Sequence, residues 1–300
     1  MTLDIAVDGL TLRYDDVTAL DELTFSLEGG KIYGLLGRNG SGKTSLLSVL
    51  AAFRRATAGH VRIAGQPVFE NPEITRQICL IREGGDMVEQ DWPDNRIKDM
   101  LAFAAYLRPN WDAAYADALL ERFGLEPDTR IPALSRGKRA ALAVLLGLAT
   151  RAPVTMFDES HLGMDAPSRY AFYDELLTDF MDHPRTVILS THLIEEVSSL
   201  FEQVVIIDHG RLVLHEEADR LRARGAAVTG PADVVDRFAD GLTVLGKKTL
   251  GPTKSVMVYG PLDDAYRERA RSAGLDIGPI ALQDLFVHLT EPRETADEHR

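Results

Sequence analysis

The chain has 300 residues, 45 % of them hydrophobic and 26 % charged, a composition that excludes fibrous, low-complexity and disordered classes and fits one large domain plus an appendage, or two domains. Its formal net charge of −13 argues against a broad nucleic-acid-binding surface, which carries an excess of Lys and Arg. The longest wholly apolar run, Ala140 to Ala149, is half of the roughly 20 residues that a membrane-spanning helix requires, and the single Cys79 cannot form an internal disulfide.

In chain order, Met1-Thr2-Leu3-Asp4 lacks the basic-then-apolar pattern of a signal peptide, so the expected compartment is the cytoplasm. Strands are predicted at Asp4 to Val7, Leu10 to Tyr14, Leu23 to Leu27 and Ile32 to Leu36. A helix over Ser45 to Phe53 follows, then a short strand between Gly59 and Gly65 and another at Ile78 to Ile81. From about Asp94 to Thr150 the apolar spacing turns helical, with Leu101 four residues before Ala105, and Leu119 and Leu120 four and three before Phe123. Val154 to Phe157 and Thr186 to Ser190 are near-continuously apolar, as parallel strands covered on both faces are, and a helix over Ser168 to Met181 lies between them. Val204 to Asp208, the turn His209-Gly210 and Leu212 to Leu214 read as a hairpin. Beyond Arg222, Gly225 to Thr229, Ala232 to Phe238, Thr243 to Lys247, Ser255 to Tyr259, Leu262 to Ala273 and Asp276 to Ala281 give the order β-α-β-β-α-β of a small ferredoxin-like module. A helix over Leu282 to Leu289 and a polar tail from Glu291 to Arg300 close the chain.

The chemistry begins at the end of the strand Ile32 to Leu36. Gly37-Arg38-Asn39-Gly40-Ser41-Gly42-Lys43-Thr44 is a Gly-x4-Gly-Lys-Thr phosphate loop that closes a strand and opens a helix. Its glycines allow the backbone to fold around a polyphosphate, with successive N–H groups and the helix end, worth about +0.5 charge, aimed at anionic oxygens. Lys43 is expected on the β/γ-phosphates and Thr44 on Mg2+. The strand Val154 to Phe157 ends in Asp158-Glu159, which supplies the second half of such a site: Asp158 for Mg2+ and Glu159 for the water that attacks the γ-phosphate. Ser190-Thr191-His192 follows the next strand and brings His192 to the same sheet edge, where it can sense the γ-phosphate. Leu134-Ser135-Arg136-Gly137-Lys138 stands before a helix with Ser135 as N-cap; it is either a capped helix alone or a second anion site for a phosphate held by another subunit.

The ordered set of phosphate loop, Leu-Ser-x-Gly before a helix, Asp158-Glu159, Leu162-Gly163-Met164-Asp165 and Ser190-Thr191-His192 resembles an ABC-type ATPase domain over about residues 3 to 220. More narrowly, it resembles the separately encoded ATPase subunits of bacterial drug, antibiotic and immunity-type exporters. The resemblance implies a P-loop NTPase α/β fold with an antiparallel β subdomain and a helical subdomain at about residues 84–150, forming an ABC domain over residues 1–222 and an accessory α+β module over 223–300. It further implies that Tyr14 stacks on adenine, that Gly37 to Ser45 hold the phosphates, and that Asp158 ligates magnesium. Glu159 is then the catalytic carboxylate, Asp165 the aspartate linking two sites, and His192 the switch histidine. Two ATPase subunits, expected as a homodimer, are implied to close head to tail so that ATP lies between one phosphate loop and the partner's Ser135 and Gly137. A separate membrane permease is the implied partner, which makes the chain peripheral on the cytoplasmic face of the membrane, with ATP and Mg2+ as cofactors and no nucleic acid bound.

Three departures stand out. Glu83 occupies the position where the family usually carries a glutamine after the strand Ile78 to Ile81, and its carboxylate can face Mg2+ but has no amide N–H to offer; Gln90 is the alternative. Arg136 and Lys138 replace glycine and glutamine in the signature, and these two cations are expected to add affinity for the triphosphate. Ser160-His161 replaces a proline-containing pair after the catalytic glutamate. Rival readings are a soluble mechanical or regulatory ABC-type ATPase without transport, and a small-molecule kinase using the same phosphate loop. The C-terminal module reads either as a ligand sensor or as an appendage that stabilises the dimer or contacts the permease.

Overall fold

The computed structural model describes residues 2–82, 95–260 and 262–290; Glu83, Gln90, the start of the helical region at Asp94 and the tail from Glu291 to Arg300 lie outside them. The chain divides into two compact units, one running to His192 and resuming over Ser199–His215, the other made of Leu193–Ser198 and the chain from Glu216 onward.

The first unit opens with strands β1 (Ile5–Tyr14) and β2 (Val17–Leu27), antiparallel partners whose inward residues alternate along Ile5, Val7, Leu23, Phe25 and Leu27. The two strands expected at Asp4 to Val7 and Leu10 to Tyr14 are one: Gly9, at φ +54°, sits in a register shift between Val7 and Leu10, a bulge that breaks the alternation without ending the strand. Next come β3 (Ile32–Leu36), α1 (Lys43–Leu50), β4 (Ala58–Ile63), the two-residue β5 (Gln66–Pro67), α2 (Pro72–Thr75) and β6 (Ile78–Arg82). The helical region supplies α3 (Ile97–Leu107), α4 (Ala113–Arg122) and α5 (Arg136–Ala149). Strand β7 (Val154–Asp158), helix α6 (Ala166–Asp182), strand β8 (Thr186–Ser190), β9 (Gln203–Asp208) and the larger part of β10 (Arg211–Glu217), up to His215, complete it.

These strands form a four-stranded antiparallel sheet in the order β2-β1-β4-β5 and a six-stranded sheet in the order β10-β9-β3-β8-β7-β6. Strands β9, β3, β8, β7 and β6 are mutually parallel, and β3, β7 and β8 are buried at every residue, the consequence of cover on both faces. His209 at φ +46° and Gly210 at φ +75° make the two-residue turn into β10, as the hairpin reading requires. One apolar cluster joins the layers, running from Ile5, Leu10 and Leu20 through Leu46 and Leu47 of α1 to Met156 and Ile188. A partly buried ion network ties the helical region to the parallel sheet. Arg185, at the start of β8, meets Asp179 of α6 at 2.7 Å, and Arg151 bridges Asp179 at 3.0 Å to Asp112, the N-cap of α4, at 2.7 Å.

The second unit carries α7 (Ile194–Val197), α8 (Ala218–Ala223), β11 (Gly225–Pro231), α9 (Ala232–Phe238), β12 (Thr243–Leu250), β13 (Thr253–Tyr259), α10 (Asp264–Ser272), β14 (Asp276–Pro279) and α11 (Leu282–Thr290). Its sheet order, β12-β13-β11-β14 with every pair antiparallel, is the split β-α-β arrangement expected from the element order. Val228, Val235, Val256, Val258 and Ala270 form its own core.

Candidate active site

The phosphate loop leaves the C-terminal end of β3 at the centre of the parallel sheet, between β8 and β9. Helix α1 starts at Lys43, two residues earlier than its apolar spacing suggests, because Gly42 at φ +104° turns the chain into it; Ala52 at φ +59° ends it ahead of Phe53. A Cβ on Gly42 would stand 2.6 Å from the carbonyl of Ala19, so the β1–β2 hairpin lies directly against the loop. Lys43 is buried and donates from Nζ to the carbonyls of Gly37 at 2.7 Å and Arg38 at 3.2 Å. Burial holds its pKa below the ordinary lysine value, against the opposing charges of Glu159 and Asp158. An incoming triphosphate has a cation available at the cost of two carbonyl bonds.

Strand β7 delivers Asp158 and Glu159, and β8 delivers Ser190, Thr191 and His192; the register pairs Asp158 with Ser190, which levels the two strand ends. Glu159 adopts φ +50°, an uncommon conformation for a non-glycine residue, and is held there by its N–H donating to Ser190 O at 3.0 Å. His192 Nδ1 donates to Glu159 Oε2 at 2.9 Å. Burial raises the Glu159 pKa above the ordinary glutamate value, and His192 and Lys43 act in the opposite direction. A carboxylate that is partly desolvated and oriented by an imidazole suits the task of accepting a proton from water.

The loop, Glu159 and His192 enclose a cleft of about 530 Å³, lined by Asn39 to Ser45, Glu159, Leu162 and His192 together with Val17, Thr18 and Ala19 of the hairpin. Asp158 stands behind this cleft, buried, and its Oδ1 has no hydrogen-bond partner among the described residues; Ser41 Oγ and Ser190 Oγ are in the same condition. A buried carboxylate oxygen left unpaired, with the exposed Thr44 in the first turn of α1, is a donor set that fits a hard divalent cation which keeps waters and phosphates as its other ligands.

Other expected residues do not line this cleft. Tyr14 is 38 % exposed, with Arg54 5.6 Å over its ring and its hydroxyl 3.4 Å from Ser45 Oγ. Val17, 65 % exposed at the turn between β1 and β2, adds apolar surface next to the phosphate loop. Ser135 caps α5 by accepting from the Lys138 N–H at 3.3 Å. A Cβ on Gly137 would stand 2.9 Å from Gly163 O, so the signature packs on the segment that leads to Asp165. Asp165 caps α6 by accepting from the Ser168 N–H at 3.0 Å, and these bonds hold its carboxyl below the usual range. The Lys138 ammonium is engaged within its own chain: it donates to the carbonyls of Phe123 at 2.6 Å and Gly124 at 2.9 Å, at the end of α4.

Known proteins resemble this chain along most of its length. A family model described as "ABC transporter" matches residues 20–161. The Nod factor export ATP-binding protein I of Burkholderia pseudomallei (strain K96243) is 30 % identical over 292 residues, covering 93 % of this chain and 94 % of that protein. Daunorubicin resistance ATP-binding protein DrrA3 of Streptomyces coeruleorubidus is 29 % identical over 305 residues, covering 95 % of each. A solved ATP-binding subunit of an ABC transporter superposes with a TM-score of 0.65 at 22 % identity, over 73 % of this chain and 91 % of that one, which speaks to the fold alone. The chain therefore belongs to the ABC transporter family.

Proposed function

We propose that two copies of this chain close head to tail over ATP and Mg2+ and that closure drives a separate membrane permease, in the direction of export. The Glu159–His192 pair beside the buried Lys43, all facing one cleft with the phosphate loop, is the observation that carries the reading. Both relatives are named for export or drug resistance, which supports the direction.

In this reading the N–H groups from Asn39 to Thr44 and Lys43 bind the phosphates of ATP, and Val17 and Tyr14 offer the base an apolar or aromatic surface. Thr44 and Asp158 would hold Mg2+, which neutralises charge on the β- and γ-oxygens when bound. Glu159 takes the proton of the attacking water, and His192 keeps the carboxylate oriented. Ser135 and Gly137 line no part of the cleft of their own chain, which favours a role toward a partner's γ-phosphate, with the positive end of α5 behind them. Hydrolysis removes the group that both halves hold, and the dimer opens. Turnover by the parent, Lys43→Ala and Glu159→Gln chains tests the site. Free phosphate released by the parent and abolished in both variants is the expected result. Undiminished turnover in Glu159→Gln, or transfer of the phosphate to a small molecule, would remove it.

A further inference from the structure

The residues that replace the family's proline-containing pair, Ser160 and His161, are both 1 % exposed. A buried histidine directly after the base-bearing loop needs a partner, and it has one across the sheet edge. His161 Nε2 and Thr191 Oγ1 are joined by a hydrogen bond of 3.0 Å, with Thr191 also 1 % exposed, and the imidazole packs edge-on against Tyr173 of α6 at 6.0 Å. Thr191 immediately precedes His192. The two loops thereby share three bonds in succession: Glu159 N–H to Ser190 O, His161 to Thr191, and His192 to Glu159.

We propose that His161 is a positioning residue that fixes the backbone of Thr191, and through it sets the direction from which His192 holds Glu159. His161 also lies two residues before Gly163, against which the signature's Gly137 packs. A shift at the signature therefore has a covalently short path to the His192–Glu159 pair within one chain. The inference rests on the roles given above to Glu159 and His192.

Leu at position 161 keeps the volume and removes the bond; Gln offers a polar nitrogen at a similar reach; Val at 191 removes the hydroxyl at constant shape. Because displacement of a catalytic group by about 1 Å can cost up to about 100-fold, His161→Leu is expected to lower kcat by roughly 10- to 100-fold while the KM for ATP stays within about twofold. His161→Gln should recover most of that loss. Thr191→Val should match His161→Leu, and the double variant should be no slower than either, the signature of one shared bond. A kcat for Thr191→Val within about twofold of the parent overturns the proposal, as does a double variant that multiplies the two losses. If His161→Leu does not fold, Thr191→Val and His161→Gln decide by themselves. His192→Ala and Glu159→Gln run alongside: full turnover in these two refutes the underlying reading, whereas their loss beside an unimpaired Thr191→Val refutes the coupling alone.

Discussion

Replacing Lys138 by Gln, the residue commonest at this signature position in the resembling family, separates a structural from a phosphate-binding role. Helix α4 ends in a Schellman arrangement, with Leu125 N–H donating to Leu120 O at 2.8 Å, Gly124 N–H to Glu121 O at 3.0 Å, and Gly124 at φ +58°. The Lys138 ammonium adds bonds to the carbonyls of Phe123 and Gly124, where the helix dipole is negative. Two charge-assisted bonds at an exposed side chain, discounted for solvent screening and side-chain entropy, contribute about 1–2 kcal/mol. For a unit of this size that corresponds to a Tm lower by about 2–8 °C in Lys138→Gln. Thermal denaturation of the nucleotide-free chain reads this directly, and ATP turnover of the same variant is expected to keep its KM. An unchanged Tm together with a KM raised about tenfold would refute the reasoning and return Lys138 to the triphosphate.

The raised pKa of Glu159 gives a pH signature. The base form is lost as pH falls through that raised value, so kcat should decline on the acid side at a higher pH than an ordinary glutamate would dictate, read from a kcat–pH profile. Stability follows the opposite sign: the folded chain binds this proton more tightly than the unfolded one, so the contribution is full below about pH 4.5 and is lost as pH rises through the folded value. Glu159→Gln should therefore melt above the parent at neutral pH, with the gap closing toward pH 4.5; a variant that melts lower throughout contradicts this. Asp179→Asn leaves Arg185, 3 % exposed at its side chain, without its anion and is expected to cost about 3–5 kcal/mol by denaturant titration, whereas a loss below about 1 kcal/mol would show that the network carries little.

Local spacing carried most of what could be foreseen. The phosphate loop, Asp158-Glu159 and Ser190-Thr191-His192 were legible because each is a short run attached to a fully buried strand, and parallel pairing then levels the strand ends. Segments of about one period, such as β5 and α7, repeat no pattern that could be read. Partners distant in sequence were equally hidden. Lys138 bonds carbonyls 14 and 15 residues upstream, and His161 meets Thr191 30 residues away, distances that only the folded packing of α4 on α5 and of β7 on β8 could close. Val17 carries no sequence signal of its own, because an exposed apolar residue at a turn looks incidental until the hairpin is set against Gly42.

If ATP is held between two copies, slowing hydrolysis traps the pair. Sedimentation of Glu159→Gln with ATP and Mg2+ should show a dimer that disappears without nucleotide. Adding Ser135→Arg to the same chain should abolish that dimer while leaving ATP binding to the monomer intact. A Glu159→Gln chain that stays monomeric at saturating ATP and Mg2+, or a dimer indifferent to Ser135→Arg, would contradict the account.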